Sequence, residues 1–195
     1  MANKKRSLGG FSRETPSLGE RIQILTELDT MHDRSAAIIC AAHLESNLET
    51  AIANNLIPLS KEEYDTIFVL DGAPLSSFAG KIRMAYALGI IGRQTKADLE
   101  AIKAVRNAFA HARRPITFST QEITSTCSTI QFLSGVSRPD EPGFTPDEPW
   151  PPKEPRKIYC NATSFMAVAL MTYAVEGTDA HPSPQGDDWI SLIAK

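Results

Sequence analysis

The feature that most constrains this chain is the apolar spacing in "DRSAAIICAAHLESNLETAIANNL", residues 33 to 56. Ala37, Ala41, Leu44, Leu48 and Ile52 recur at steps of three and four, which lines them up on one face of a long helix. The alanine-rich turns let a neighbouring helix approach closely. No stretch shows the alternation of a half-buried strand, and no internal repeat is present. Aromatic residues are only 7% of the chain while Ala, Ile and Leu are plentiful, which favours helices packed on helices over a sheet sandwich. The expectation is an all-α bundle of five to seven helices. At 195 residues it forms one domain with tails.

Punctuation divides the rest. Residues 1–16 have little to bury and read as a mobile tail. A helix begins near Ser17, and the bundle core extends over 17–135. "LSKEEYDTIFVL" places Glu63 three residues after Ser60, the spacing of a capping box, and its short helix ends at Asp71-Gly72. Ser76 or Ser77 caps a helix whose Ile82, Ala85, Tyr86 and Ile90 make an apolar stripe, with Gly89 and Gly92 at its end. Thr95 and Asp98 repeat the capping-box spacing, and their helix stops at His111 to Arg113, ahead of Pro115. Ser119 and Glu122 repeat it again. Residues 136–158 hold most of the 13 prolines and read as an extended connector, with Trp150 pinning it to the domain. The last helix spans 159–176 and offers Phe165, Val168, Ala169, Leu170 and Tyr173 for packing. The tail from 177 to 195 is polar apart from "WISLIAK", which is able to dock.

A net charge of −3 gives no global sign of a nucleic-acid binder, so basic contacts must be local. Lys4-Lys5-Arg6, Arg113-Arg114, and Lys153 with Arg156-Lys157 are the candidates. Cys40, Cys127 and Cys160 are sparse, odd in number and without a CxxC spacing, which fits a reducing cytoplasm and no zinc site. His43 lacks the further ligands a metal needs. Neither a secretory signal nor an apolar run of membrane-spanning length is evident. No cofactor is expected. Tyr86, Tyr159 and Trp150 are the aromatic groups available for base stacking.

The stretch richest in chemistry is "VRNAFAHARR", residues 105 to 114. At ~100° per residue, Ile102, Val105 and Phe109 face the core. Ala101, Ala104, Ala108 and Ala112 form a far face of small side chains suited to a second helix or subunit. Lys96, Glu100, Lys103, Asn107 and His111 make a polar stripe with Arg106 on its edge. Arg106 and His111 are roughly 140° apart, while Asn107 and His111 are one turn apart. Two readings follow. In one, Arg106 binds an anionic oxygen with its planar donor fork, His111 carries a proton near neutral pH, and Asn107 orients the imidazole or the ligand. That chemistry suits metal-free RNA cleavage. In the other, Arg106 pairs with a carboxylate such as Glu45, Asn107 bonds a loop, and His111 caps carbonyls at the helix C-terminus.

Residues 68 to 123 resemble the mannitol operon repressor family in an ordered series of blocks. These are the Gly72, Pro74, Leu75 loop of "DGAPLSSF", the helix "KIRMAYALGII", then Arg106 and His111, then Phe118, Ser119, Glu122 and Ile123. The likeness extends loosely over residues 30 to 175. It implies an all-helical, cytoplasmic bacterial regulator acting through protein or nucleic-acid contacts. No helix pair here has the look of a helix-turn-helix reader. Arg106, His111, Arg113, Arg114 and Lys103 are the binding candidates, and a homodimer is expected. "RNAFAH" also resembles the Arg-x4-His signature of the HEPN superfamily, many of whose members are metal-independent ribonucleases. That second likeness implies Arg106, Asn107 and His111 as catalytic residues, supported by an acidic side chain from an earlier helix, Glu45 or Asp33.

Overall fold

A computed structural model describes residues 27–28, 30–138 and 149–176, with side chains as far as 171. It is helical, with no strand among the described residues. The segment before Asp33 clusters as a separate unit, of which residues 27–28 are helical and Thr30 lies in a turn. The expected tails at 1–16 and 177–195, most of the helix from Ser17, Lys4-Lys5-Arg6, the middle of the Pro-rich connector and the Tyr173 side chain lie outside the described residues.

The main unit has α1 (Asp33–Asn54), α2 (Lys61–Tyr64) continued by a π-helical turn (Asp65–Val69), α3 (Phe78–Ala87), α4 (Arg93–His111), α5 (Gln121–Cys127), a 3₁₀ turn (Phe132–Gly135) and α6 (Pro155–Glu176). This is the all-α bundle that the apolar spacing predicts. Helix α1 is its centre and packs against α6, α4 and α3. Ala37, Ala41, Leu44, Leu48 and Ile52 are all buried, as their register requires. Ile102, Val105 and Phe109 seal the α4 side.

Four ties give the helix directions. Arg34 Nη2 donates to the Ala112 carbonyl (3.1 Å) and Arg106 Nη2 to Glu45 Oε2 (3.1 Å), so α1 and α4 run antiparallel. Asp33 meets Arg156, and the Tyr159 hydroxyl donates to the Ala37 carbonyl (2.9 Å), so α1 and α6 run side by side in the same sense. Tyr159 is fully buried, its ring 5.4 Å from Phe118, which meets Phe109 in a tilted contact at 5.0 Å. It is therefore core and not the base-stacking platform the sequence offers. Burial pushes its hydroxyl well above the ordinary tyrosine range.

Local chemistry explains most boundaries. The Ser60–Glu63 capping box forms in full. Ser77 caps α3 by accepting from the Gly80 amide at 3.1 Å. Gly72 and Gly89 take left-handed backbone at φ 77° and 72°, which ends the segments before them. Gly80 meets a steric demand: a Cβ there would lie 2.8 Å from the Pro74 carbonyl oxygen, where the Pro74–Leu75 loop crosses α3. The "DGAPLSSF" block thus has a structural role.

Several expectations need correction. Thr95 and Asp98 do not begin α4, which starts at Arg93 behind Gly92; both are buried inside it. Asp98 instead accepts from the Gln131 amide at 3.2 Å, holding the 3₁₀ turn. Thr120, not Ser119, is the N-cap residue of α5 and gives it no side-chain cap. Helix α6 begins at Pro155, four residues before the expected start. Proline fits the first helical position, where its missing N–H costs nothing. Val168 is 58% exposed, whereas Ala169 and Leu170 are buried. Trp150 donates to the Val136 carbonyl at 2.8 Å and lies edge-on to Phe165 at 5.8 Å, as a pin for the connector should.

Candidate functional site: a buried charge relay and a basic end

Arg106 stands at the open end of a relay built by four elements. Its guanidinium bonds Glu45 Oε2. Glu45 Oε1 accepts from Lys81 Nζ at 2.9 Å, and the same ammonium lies 2.8 Å from Glu49 Oε2. Glu49 Oε1 accepts from the Tyr64 hydroxyl at 2.5 Å. Glu45 and Glu49 are one turn apart on α1, so both carboxylates point at the α3 position that carries Lys81. Two cations face two anions. Lys81 is 5% exposed, and an ammonium at that depth survives only with such partners. The relay reaches solvent at Arg106, whose side chain is 27% exposed and whose guanidinium carbon is 5.8 Å from the Phe78 ring centre.

The expected pairing of Arg106 with Glu45 is therefore present. The same does not hold for Arg106 and His111. His111 is exposed at the last turn of α4, and no hydrogen bond, ion pair or ring contact among the described residues joins it to Arg106. Asn107, between them in sequence, is half-buried. Lys103 is paired with Glu100 on its own helix. Asp33, the other acidic candidate, is remote from the relay and is engaged elsewhere.

That engagement creates the second feature. Asp33 Oδ2 accepts from the Phe118 amide at 2.8 Å, and Oδ1 accepts from Arg156 Nη1 at 2.5 Å. Arg34, the next residue, holds the Ala112 carbonyl that closes α4. One end of the bundle thus gathers the first turns of α1 and α6 and the last turn of α4. Arg113 and Arg114 follow directly and are exposed, with no ion pair among the described residues. His111, Arg34 and Lys153 are also exposed there. Among the described residues, the acidic groups towards this end are Asp33, already shared between Arg156 and an amide, and the exposed Glu122 and Glu154. Basic residues far apart in sequence, each unremarkable alone, are thus carried at the same end of the bundle.

Sequence reasoning missed Lys81, Glu49 and Tyr64. A signal for Lys81 was available, since it sits on the same stripe as Phe78, Ile82 and Ala85, where an unpaired lysine is almost never tolerated. Tyr86, half-buried with the Lys96 ammonium 4.6 Å from its ring centre, belongs to packing. No group of three or more His, Cys, Asp or Glu among the described residues is arranged to hold a metal ion. No helix among them is long and apolar enough to cross a membrane.

Comparison of the chain with protein-family models, with curated proteins and with solved structures returns no match.

Proposed function

We propose that this chain is a cytoplasmic bacterial regulator of the mannitol operon repressor type, which controls gene expression by gripping a nucleic-acid backbone with the basic end of its bundle. The observation that carries the reading is the Asp33 clasp. By holding Arg156 and the Phe118 amide together, beside the Arg34–Ala112 bond, it gathers the segments that carry Arg34, His111, Arg113, Arg114 and Arg156 at one end of the bundle. Arginine forks suit phosphate oxygens, and cationic contacts supply affinity without a reader helix. Labelled duplex DNA and RNA test it. Arg113→Ala/Arg114→Ala should weaken binding at least tenfold while the circular dichroism stays helical. Unchanged affinity would refute the assignment. Homodimerisation through the small-residue face of α4 belongs to the same proposal, because Ala101, Ala104 and Ala108 are exposed or half-buried.

A second reading is favoured by the Glu45–Arg106 pair. It joins an acidic side chain of an earlier helix to the arginine of "RNAFAH", an arrangement that often accompanies the HEPN motif. Arg106 would steady the charge developing on phosphorus, His111 would move the proton, and Asn107 would orient it. Metal-free RNA cleavage giving a cyclic phosphate, abolished by His111→Ala, supports this reading. Intact RNA under those conditions excludes it.

A further inference from the structure

Outside both features lies a group of sulfur atoms that neither uses. Cys40 on α1 and Cys160 on α6 are cysteines outside any disulfide, 120 positions apart in sequence. The parallel register of the two helices brings them opposite each other. Asp33 meets Arg156 and Ala37 meets Tyr159, and Cys40, a turn beyond Ala37, then lies against Cys160, the residue after Tyr159, and Thr163, a turn beyond it. The approach is close because the residues between the helices are small: Ala36, Ala37 and Ala41 on α1 and Ala162 and Ala169 on α6 are all buried. Thr163 is buried too, and donates to the Tyr159 and Cys160 carbonyls at 3.0 and 2.8 Å. Cys40 is 4% exposed, while Cys160 is half-buried and reachable by a small solute.

We propose that Cys40 and Cys160 are a redox-sensitive pair that closes into a disulfide under a hydroperoxide and staples α1 to α6. The chemistry balances in two steps. The Cys160 sulfur attacks the terminal oxygen of the peroxide bond and passes its proton to the departing oxygen, giving a sulfenic acid and water from hydrogen peroxide or an alcohol from an organic hydroperoxide. The Cys40 sulfur then attacks the sulfenic sulfur and expels hydroxide, which leaves as water with the Cys40 proton. Two thiols lose two electrons and the peroxide gains them. Cys40 is prepared for the second step. The hydrogen bond from the Cys160 thiol holds its own thiol below the ordinary cysteine range, helped by Thr163 and by the Arg156 charge and against the effect of burial. Because the two sulfurs share a proton, that first ionisation belongs to the pair. Cys127 is different: burial alone pushes its thiol up to about 12, so it stays protonated and inert.

The test treats the folded, full-length protein with a modest excess of hydrogen peroxide, quenches it and maps peptides without reduction. The expected product is a monomer lighter by two hydrogens, with the peptides of Cys40 and Cys160 joined, restored by a thiol reductant. Cys127→Ser should give the same link, and Cys160→Ser should lose it. Because the map is made on the wild-type chain, a variant that fails to fold does not decide the matter. Cys160 carried on to sulfinic acid while Cys40 remains a free thiol would overturn the proposal. So would a link that involves Cys127 or joins two chains.

Discussion

Replacing Lys81 with Met keeps the length of the side chain and removes the ammonium. Its two carboxylate partners then lie about one-fifth exposed, at 19% and 17% of their side-chain surface. Breaking a buried ion pair from one side costs about 3–5 kcal/mol, most of it from the charge left behind. The lower end applies here, because Glu45 keeps Arg106 and water reaches both carboxylates in part. Glu49 keeps only the Tyr64 hydroxyl. The expected loss is about 3 kcal/mol, or roughly 6–12 °C in Tm for a domain of this size. Chemical denaturation should show a lower midpoint at an unchanged slope. Adding Glu49→Gln should return about 1 kcal/mol, since it removes the stranded charge while leaving an oxygen for Tyr64 to donate to. If Lys81→Met stays within about 0.5 kcal/mol of the parent, as a surface change would, the ammonium is not the hub of the relay.

Two further outcomes follow from the fold. Gly80→Ala normally favours a helix by about 1 kcal/mol. Here the new methyl meets the Pro74 carbonyl at 2.8 Å, so thermal unfolding should show a net loss of about 1–3 kcal/mol; stabilisation would mean that the loop does not cross α3 so closely. Burial raises the Asp98 carboxyl above the ordinary aspartate value of 3.8, against hydrogen bonds that lower it. A raised acid holds its proton more tightly in the folded state, so its contribution to stability is full below that value and is lost as pH rises through the folded pKa. Asp98→Asn should remove that acid-side slope and still accept from Gln131, and a slope unchanged in the variant would contradict the assignment.

What was legible in the sequence was local. The Ser60–Glu63 box, the glycine stops at Gly72 and Gly89, and the buried face of α1 each depend on residues within a turn or two. The same capping spacing at Thr95 and Asp98 misled because nothing local separates a cap from a buried acceptor. Asp98 finds its partner 33 positions away in the Gln131 amide. Pro155 misled for a related reason: a proline marks both a connector and the first turn of a helix. The Glu45–Arg106 pair was visible as an expectation because α1 and α4 each declared their polar edges. The convergence of Arg34, Arg113 and Arg156 was not, since it arises from one carboxylate, Asp33, meeting groups 85 and 123 positions away.

The central claim is that the end of the bundle clasped by Asp33 binds a polyanion through its arginines. The salt dependence of duplex-DNA affinity measures this most directly, because each neutralised phosphate contributes about 0.9 to the slope of log affinity against log salt. A parent slope that falls by about 2 in Arg113→Ala/Arg114→Ala, with Lys61→Ala on the far side of the molecule leaving it unchanged, is the predicted result. Equal slopes in the parent and the double variant would contradict it.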